Sequence, residues 1–336
     1  MAELVLAIGT SHSPVLALDA PDWEARAIND RDNKNLYDVD GVHCSYDELY
    51  AKVGDKYNAL AVPTRWTEQE EILNRSLDRL GKELAEVNPD AVIIISDDEH
   101  ELFSGANMPA LAIYFGERAV SRLLVRPDDP RAHRPDYAWL RQVEKMYAMD
   151  ENNEFAVASN LGLELFGRLM DAGFDLTACD GVPEPEKRGF GHGFGFVMRR
   201  IMGNKPIPIV PVLLNAYFPP NQPLPKRCYA FGKALRKAID EAAPGKRIAV
   251  VASGGLSHFV TNEPLDTGIL DALKSGDHKF LQNVDPKLLN SGSSEIRMWI
   301  AMGGAIDGLK HRWSEYIPVY RTPPGTGIGL AFGRWS

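Results

Sequence analysis

The chain has 336 residues, 46 acidic against 37 basic, for a formal charge of −9. Its 44% hydrophobic and 25% charged residues match a globular protein and exclude a wholly disordered or collagen-like chain. The acidic balance argues against a nucleic-acid binder, and no apolar run approaches the roughly 20 residues that cross a bilayer.

In chain order, residues 4–8 are a short apolar run and read as the first core strand. The N-terminus has an early Glu3 and lacks the basic start and long apolar stretch of a signal peptide. Residues 19–66 break the rhythm, being polar and rich in Asp, Asn and Tyr. They read as an insert with one or two short helices, of the kind that forms lids or interfaces. Residues 67–87 read as an amphipathic helix with Thr67 as N-cap and Glu68, Glu70 and Glu71 in its first turn. Further apolar, β-branched strands are expected at 91–95, 110–114, 207–214 and 248–252. Further helices are expected at 158–172, 226–242, 266–282 and 293–308. Residues 127–137, dense in Pro, Asp and Arg, read as irregular.

Unbroken apolar strands alternating with amphipathic helices predict an α/β sandwich. Its central sheet would be mostly parallel or mixed, with helices covering both faces. Neither irregular region marks a boundary, so a single domain over 1–336 is expected, with the insert at about 19–66. Cys44, Cys179 and Cys228 are far apart and form no CxxC pair, which fits a reduced cytoplasm better than a disulfide framework.

The turns at the strand ends carry the chemistry. Gly9-Thr10-Ser11-His12-Ser13-Pro14 comes after the first strand, and Ser96-Asp97-Asp98-Glu99-His100-Glu101 after the second. Asn215-Ala216-Tyr217-Phe218 and Ser253-Gly254-Gly255-Leu256-Ser257-His258 come after two others. In open α/β sheets ligands bind at this carboxyl edge. His192 lies in the glycine-rich loop 189–195, and Glu295 opens the last helix. The chain contains no GxSxG, GxxxxGK[ST] or HExxH. Two histidines and a carboxylate from distant positions suit a non-haem iron(II) site, which leaves coordination positions open. Each histidine alone is more commonly a satisfied structural residue, so spacing supports only an α/β enzyme with a candidate metal site.

Taken together in order, these segments resemble the class III extradiol ring-cleavage dioxygenases, the superfamily of the protocatechuate 4,5-dioxygenase catalytic subunit. The insert makes the chain look most like the 3-O-methylgallate dioxygenase branch. The resemblance implies an iron(II) enzyme that opens the ring of a catechol- or gallate-type diol with O2. It implies His12 and Glu295 as metal ligands and His258 as the catalytic acid–base. It also implies His192, Ser257 and Tyr217 as substrate-binding residues. The second histidine ligand departs from the family's Asp-His pattern. A gapless count from Phe103 and Met108-Pro109 places Glu99 there, and one extra residue places His100. His100 is favoured because two imidazoles plus one carboxylate suit iron(II); Glu99 stays open, as does His43 from the insert. Arg188 and Lys187 could attract a substrate carboxylate, although a solvated basic pair is the commoner situation. The expected partners are the diol and O2, with no nucleic acid or membrane, in a cytoplasmic homodimer. Two other readings remain, a homologous non-catalytic subunit and a serine hydrolase using Ser257 and His258.

Overall fold

A computed structural model of the chain describes residues 3–125, 129–134, 137–242 and 244–336. Among these the strands are, in chain order, β1 (Glu3–Thr10), β2 (Leu36–Tyr37), β3 (His43–Cys44), β4 (Ala91–Ser96), β5 (Leu111–Tyr114), β6 (Arg118–Ser121) and β7 (Asn153–Ala156). Then come β8 (Thr177–Cys179), β9 (Ile209–Leu214), β10 (Arg247–Ser253), β11 (His258–Val260), β12 (His311–Tyr320) and β13 (Thr326–Trp335). The helices are α1 (Trp23–Asp32), α2 (Tyr46–Val53), α3 (Pro63–Val87), α4 (Leu140–Met146) and α5 (Ser159–Asp171). They continue with α6 (His192–Phe196), α7 (Pro225–Ala242), α8 (Glu263–Ser275), α9 (His278–Gln282) and α10 (Ile296–Ala305).

Nine strands form one mixed sheet in the order β11-β13-β1-β10-β4-β9-β5-β8, with β12 paired to β13. The expected α/β sandwich is the observed fold. Its centre, β1-β10-β4-β9, is parallel. β5 runs antiparallel to β9, and β13 antiparallel to β1. Successive side chains of a strand face opposite ways, so a strand covered on both faces must be apolar at every position. β4 shows this. Ile93 and Ile95 face the core containing α5, α7, α8 and α10, while Val92 and Ile94 face the core containing α3 and α6. Each such side chain, fully buried, contributes about 1.5–3 kcal/mol.

The five strands expected from sequence are all present. Helix α3 starts one turn earlier than expected, with Pro63 in its first turn, and Thr67 does not cap it. The Thr67 hydroxyl instead donates to Pro63 O within the helix. The α3 stripe of Leu73, Leu77, Leu80 and Leu84 seals one face of the sheet. The expected 266–282 helix divides into α8 and α9 at Gly276, whose φ of 72° is left-handed. The last expected helix begins as a 3-10 turn, Ser291–Glu295, before α10. Residues 127–137 lie partly outside the described residues; within them Pro130–His133 is a 3-10 turn. Among the described residues no helix is long and apolar enough to cross a membrane.

The insert holds α1, the β2–β3 hairpin and α2. Helix α2 starts with a capping box between Ser45 and Glu48. Leu36 and Leu49 pack with Val260 of β11, so the insert rests on the strand that carries His258.

Candidate metal centre and substrate pocket

The turns after β1, β4, β9 and β10 meet because these four parallel strands are neighbours. His12 comes just after β1. Its Nδ1 lies 3.0 Å from Ser253 Oγ, and that hydroxyl donates to Gly193 O at 2.9 Å. With its one proton placed there, Ser253 accepts from His12 Nδ1–H, which leaves a lone pair on Nε2. Nε2 is buried without a hydrogen-bond partner and lies 3.4 Å from Glu295 Oε2. Burial lowers the His12 pKa to about 4 against the opposing pull of Glu295, so the ring is neutral at pH 7. Two electron-pair donors therefore face each other in the interior. Gly193 permits this close packing, since a Cβ there would lie 2.1 Å from Ser96 Oγ and 2.8 Å from His12 Cε1.

Glu295 sits where the 3-10 turn passes into α10. Trp299 Nε1 donates to Gly254 O at 2.8 Å and fastens α10 to the turn after β10. Gly255 N–H donates to Glu295 Oε2 at 2.5 Å, and Tyr217 OH donates to Oε1 at 3.0 Å. Burial would raise this carboxyl, but the His258 and His12 rings and the hydrogen bonds from His258 and Gly255 N–H outweigh it and bring the pKa to about 2.

His258 Nδ1–H donates to Leu256 O at 2.8 Å, so Nε2 is the nitrogen that faces Glu295 Oε1, 3.1 Å away. Tyr217 OH is 3.5 Å from the same nitrogen. Burial would lower the His258 pKa, yet the charge and hydrogen bond of Glu295 raise it. The His258 backbone N–H donates to Ser293 Oγ, whose hydroxyl donates back to His258 O.

His192 begins α6. Its Nδ1 pairs with Glu101 Oε1 at 2.6 Å, and its ring meets that of His12 edge-on at 4.7 Å. Burial opposes protonation of His192, but Glu101 holds its pKa well above the usual value. Glu101 and Asp97 belong to the site although sequence reading assigned them no role. A carboxylate's partner ninety residues away leaves no local signal.

The turn after β4 places the two ligand candidates differently. Asp98 accepts from the backbone N–H groups of His100, Leu102 and Phe103 and so winds the turn tightly. His100 takes a left-handed φ of 73° and its ring stacks on Phe218 at 3.9 Å. His100 is thus not among the gathered donors, contrary to the favoured expectation. Donor atoms of Asp97, Glu99 and Glu295 all lie within 4.8 Å of one another, as do those of His12, Asp97 and His192. Glu99 meets solvent through the pocket, yet its carboxyl lies deep enough for burial to raise its pKa. Burial also holds Asp97 well above the carboxylate range, reinforced by Glu295, and its Oδ2 has no partner.

His43 is exposed in the insert hairpin, bonded to Lys34 O and edge-on to Tyr37, outside the pocket. Ser257 is fully buried and faces away from the pocket, bonding Asp266 Oδ2 at 2.7 Å. It offers neither substrate contact nor a serine–histidine pair. Arg188 donates to the carbonyls of His100 and Phe103 and bonds Glu184, so it braces the β4 turn. A pocket of about 410 Å³ opens over His12, Glu99, His192, Tyr217, His258 and Glu295. Its remaining wall includes Arg26 of the insert and Trp139, Leu140, Val143 and Tyr147.

A neutral imidazole, clustered carboxylates and neighbouring histidines at the carboxyl edge of a parallel sheet form a group that could hold a metal ion. Residues 60–331 match the catalytic LigB subunit of aromatic ring-opening dioxygenase, and the chain belongs to that family. It is 29% identical over 150 residues to a gallate dioxygenase of Pseudomonas putida, covering 41% of this chain and 43% of that one. Over 104 residues it is 26% identical to a 2,3-dihydroxyphenylpropionate/2,3-dihydroxicinnamic acid 1,2-dioxygenase of Azotobacter vinelandii, covering 31% of this chain and 30% of that one. The Comamonas testosteroni protein of the same name is 29% identical over 104 residues, with 30% of each chain covered. The chain thus spans less than half the length of these relatives.

Proposed function

We propose that this chain is an iron(II)-dependent extradiol dioxygenase that opens the ring of a catechol- or gallate-type substrate with O2. One observation carries the reading. The His12 Nε2 lone pair and the Glu295 carboxylate face each other at 3.4 Å, buried, with further carboxylates beside them. Without a cation such a cluster is electrostatically unfavourable; a divalent cation would offset its negative charge and accept the His12 lone pair.

We assign the metal to His12, Glu99 and Glu295, with Asp97 adjacent. Glu99 replaces His100 in this set because the turn directs the His100 ring onto Phe218. When bound, the ion supplies Lewis-acid activation of the diol and a docking point for O2. The protein's own groups do the rest. Ser253 fixes the His12 tautomer. His258 Nε2, backed by the Leu256 carbonyl, accepts a phenol proton and later returns it. Tyr217 OH holds Glu295 and His258 in place. His192, anchored by Glu101, positions the substrate oxygens. The oxygen-rich donor set also accommodates manganese(II).

A serine hydrolase is disfavoured because Ser257 is bonded to Asp266, away from His258. A non-catalytic subunit is disfavoured because His12, His258 and Glu295 are all present and gathered. The test is anaerobic metal analysis with oxygen uptake. Protein reconstituted with ferrous salt is expected to hold about one iron per chain, as a single facial site requires, and to consume oxygen with catechol or gallate. No bound metal, or no uptake with any aromatic diol, would sink the proposal.

A further inference from the structure

The pocket has a second charged feature besides the candidate metal centre. Arg26, on α1 of the insert, lies over the Trp139 ring at 4.8 Å, and its Nε is buried without an acceptor among the described residues. Its natural partner, Asp30 on the next turn of α1, is taken. Asp30 receives two hydrogen bonds from Arg321, at 2.8 and 3.1 Å, and one from Thr326 Oγ1 at 2.8 Å. Two guanidinium groups therefore share one carboxylate, which leaves an excess positive charge on the pocket wall. Burial lowers the Arg26 pKa, with Arg321 adding to it and Asp30 opposing. A guanidinium remains protonated through such a shift. The Tyr147 hydroxyl, on the same wall, is also buried without a partner. It lines the same pocket as Glu295, Glu99 and Arg26 and lies within electrostatic range of all three. Trp139, Leu140 and Val143 supply apolar wall.

An uncompensated buried donor is unfavourable unless a ligand completes it. The pocket therefore complements a flat ring with metal-binding hydroxyls at one end and an anion at the other. We infer that Arg26, assisted by Tyr147, anchors a carboxylate substituent of the aromatic diol, so that the insert sets substrate specificity. The inference rests on the ring-opening reading above.

The test compares two probes, 3,4-dihydroxybenzoate and catechol, which differ by that carboxylate. Their dissociation constants are measured anaerobically by calorimetry on the iron-loaded protein. The unaltered protein is expected to prefer the acid by at least ~10-fold, the scale of one charge-assisted hydrogen-bonded contact. Arg26→Met should collapse the preference to within about threefold, Arg26→Lys should restore part of it, and Tyr147→Phe should reduce it modestly. Should Arg26→Met fail to fold, judged by its thermal melt, Arg26→Gln serves in its place. A preference that persists in Arg26→Met or Arg26→Gln, or is absent from the unaltered protein, overturns the inference. Failure of the ring-opening reading looks different, because then neither probe binds or supports oxygen uptake and both ideas fall together.

Discussion

The strand-end turns and the insert reach the same pocket with opposite electrostatics. The turns after β1, β4, β9 and β10 bring an excess of carboxylates, held in a dense hydrogen-bond network. Arg26 of the insert and Arg321 after β12 together exceed the one carboxylate, Asp30, between them, and the Asp30–Arg321 pair and the small Leu36, Leu49 and Val260 cluster fasten the insert there. The first environment suits a cation and the second an anion. A rigid sheet edge can place ligands accurately, whereas an insert can vary without disturbing them.

The largest effect expected is on metal binding. His12→Ala, Glu295→Ala and Glu99→Gln should each weaken iron retention by more than about 100-fold, the upper range for outer-shell substitutions. Ser253→Ala, which frees the His12 tautomer, should weaken it by about 10–100-fold. His100→Ala should retain iron. Metal content after anaerobic gel filtration checks all five. Full iron in Glu99→Gln together with loss in His100→Ala would return the ligand to His100.

On the insert side, Asp30→Ala leaves the buried Arg321 without its counter-charge and should destabilise the fold by roughly 3–5 kcal/mol. Urea unfolding measures this, and a change below ~1 kcal/mol would show that the pair does not fasten the insert.

The most gradual effect, spread over a pH range, concerns Asp266, which holds Ser257 and Tyr316 beneath β11. Burial raises its pKa from 3.8 to about 6, against its hydrogen bonds. The folded state therefore keeps this proton more tightly than the unfolded chain. Its contribution to stability is greatest below about pH 4 and declines as pH rises through about 6. The change is on the order of 3 kcal/mol. Asp266→Asn should flatten that part of the unfolding free energy between pH 4.5 and 7. An unchanged slope would assign the pH dependence to other groups.

Much of the site was legible because its residues sit directly after recognisable strands. The apolar runs at β1, β4, β9 and β10 marked the carboxyl edge, and the polar turns after them hold His12, Glu99, Tyr217 and His258. Which of residues 99 and 100 turns toward the gathered carboxylates was not legible, because a count along the chain cannot register how Asp98 winds the turn. Ser257 was misplaced for a similar reason. It adjoins His258 at the start of a strand, where neighbouring side chains point to opposite faces. Strand β13 was missed because its glycines break the apolar pattern. A Cβ at Gly327 would lie 2.0 Å from Val319 O, and one at Gly329 would lie 2.0 Å from Asp266 Oδ2.

Local order in this chain, meaning the α/β alternation, the buried strands and most helices, comes from hydrophobic period and turn residues. Those preferences act over a few residues, so they are written in the local sequence. The strand order that makes four turns neighbours, the tautomer of His12 and the unpaired Arg26 over Trp139 depend on groups tens to hundreds of residues apart. Only packing in three dimensions brings their charges close enough to matter, because electrostatic and hydrogen-bond energies depend on ångström distances rather than on separation along the chain.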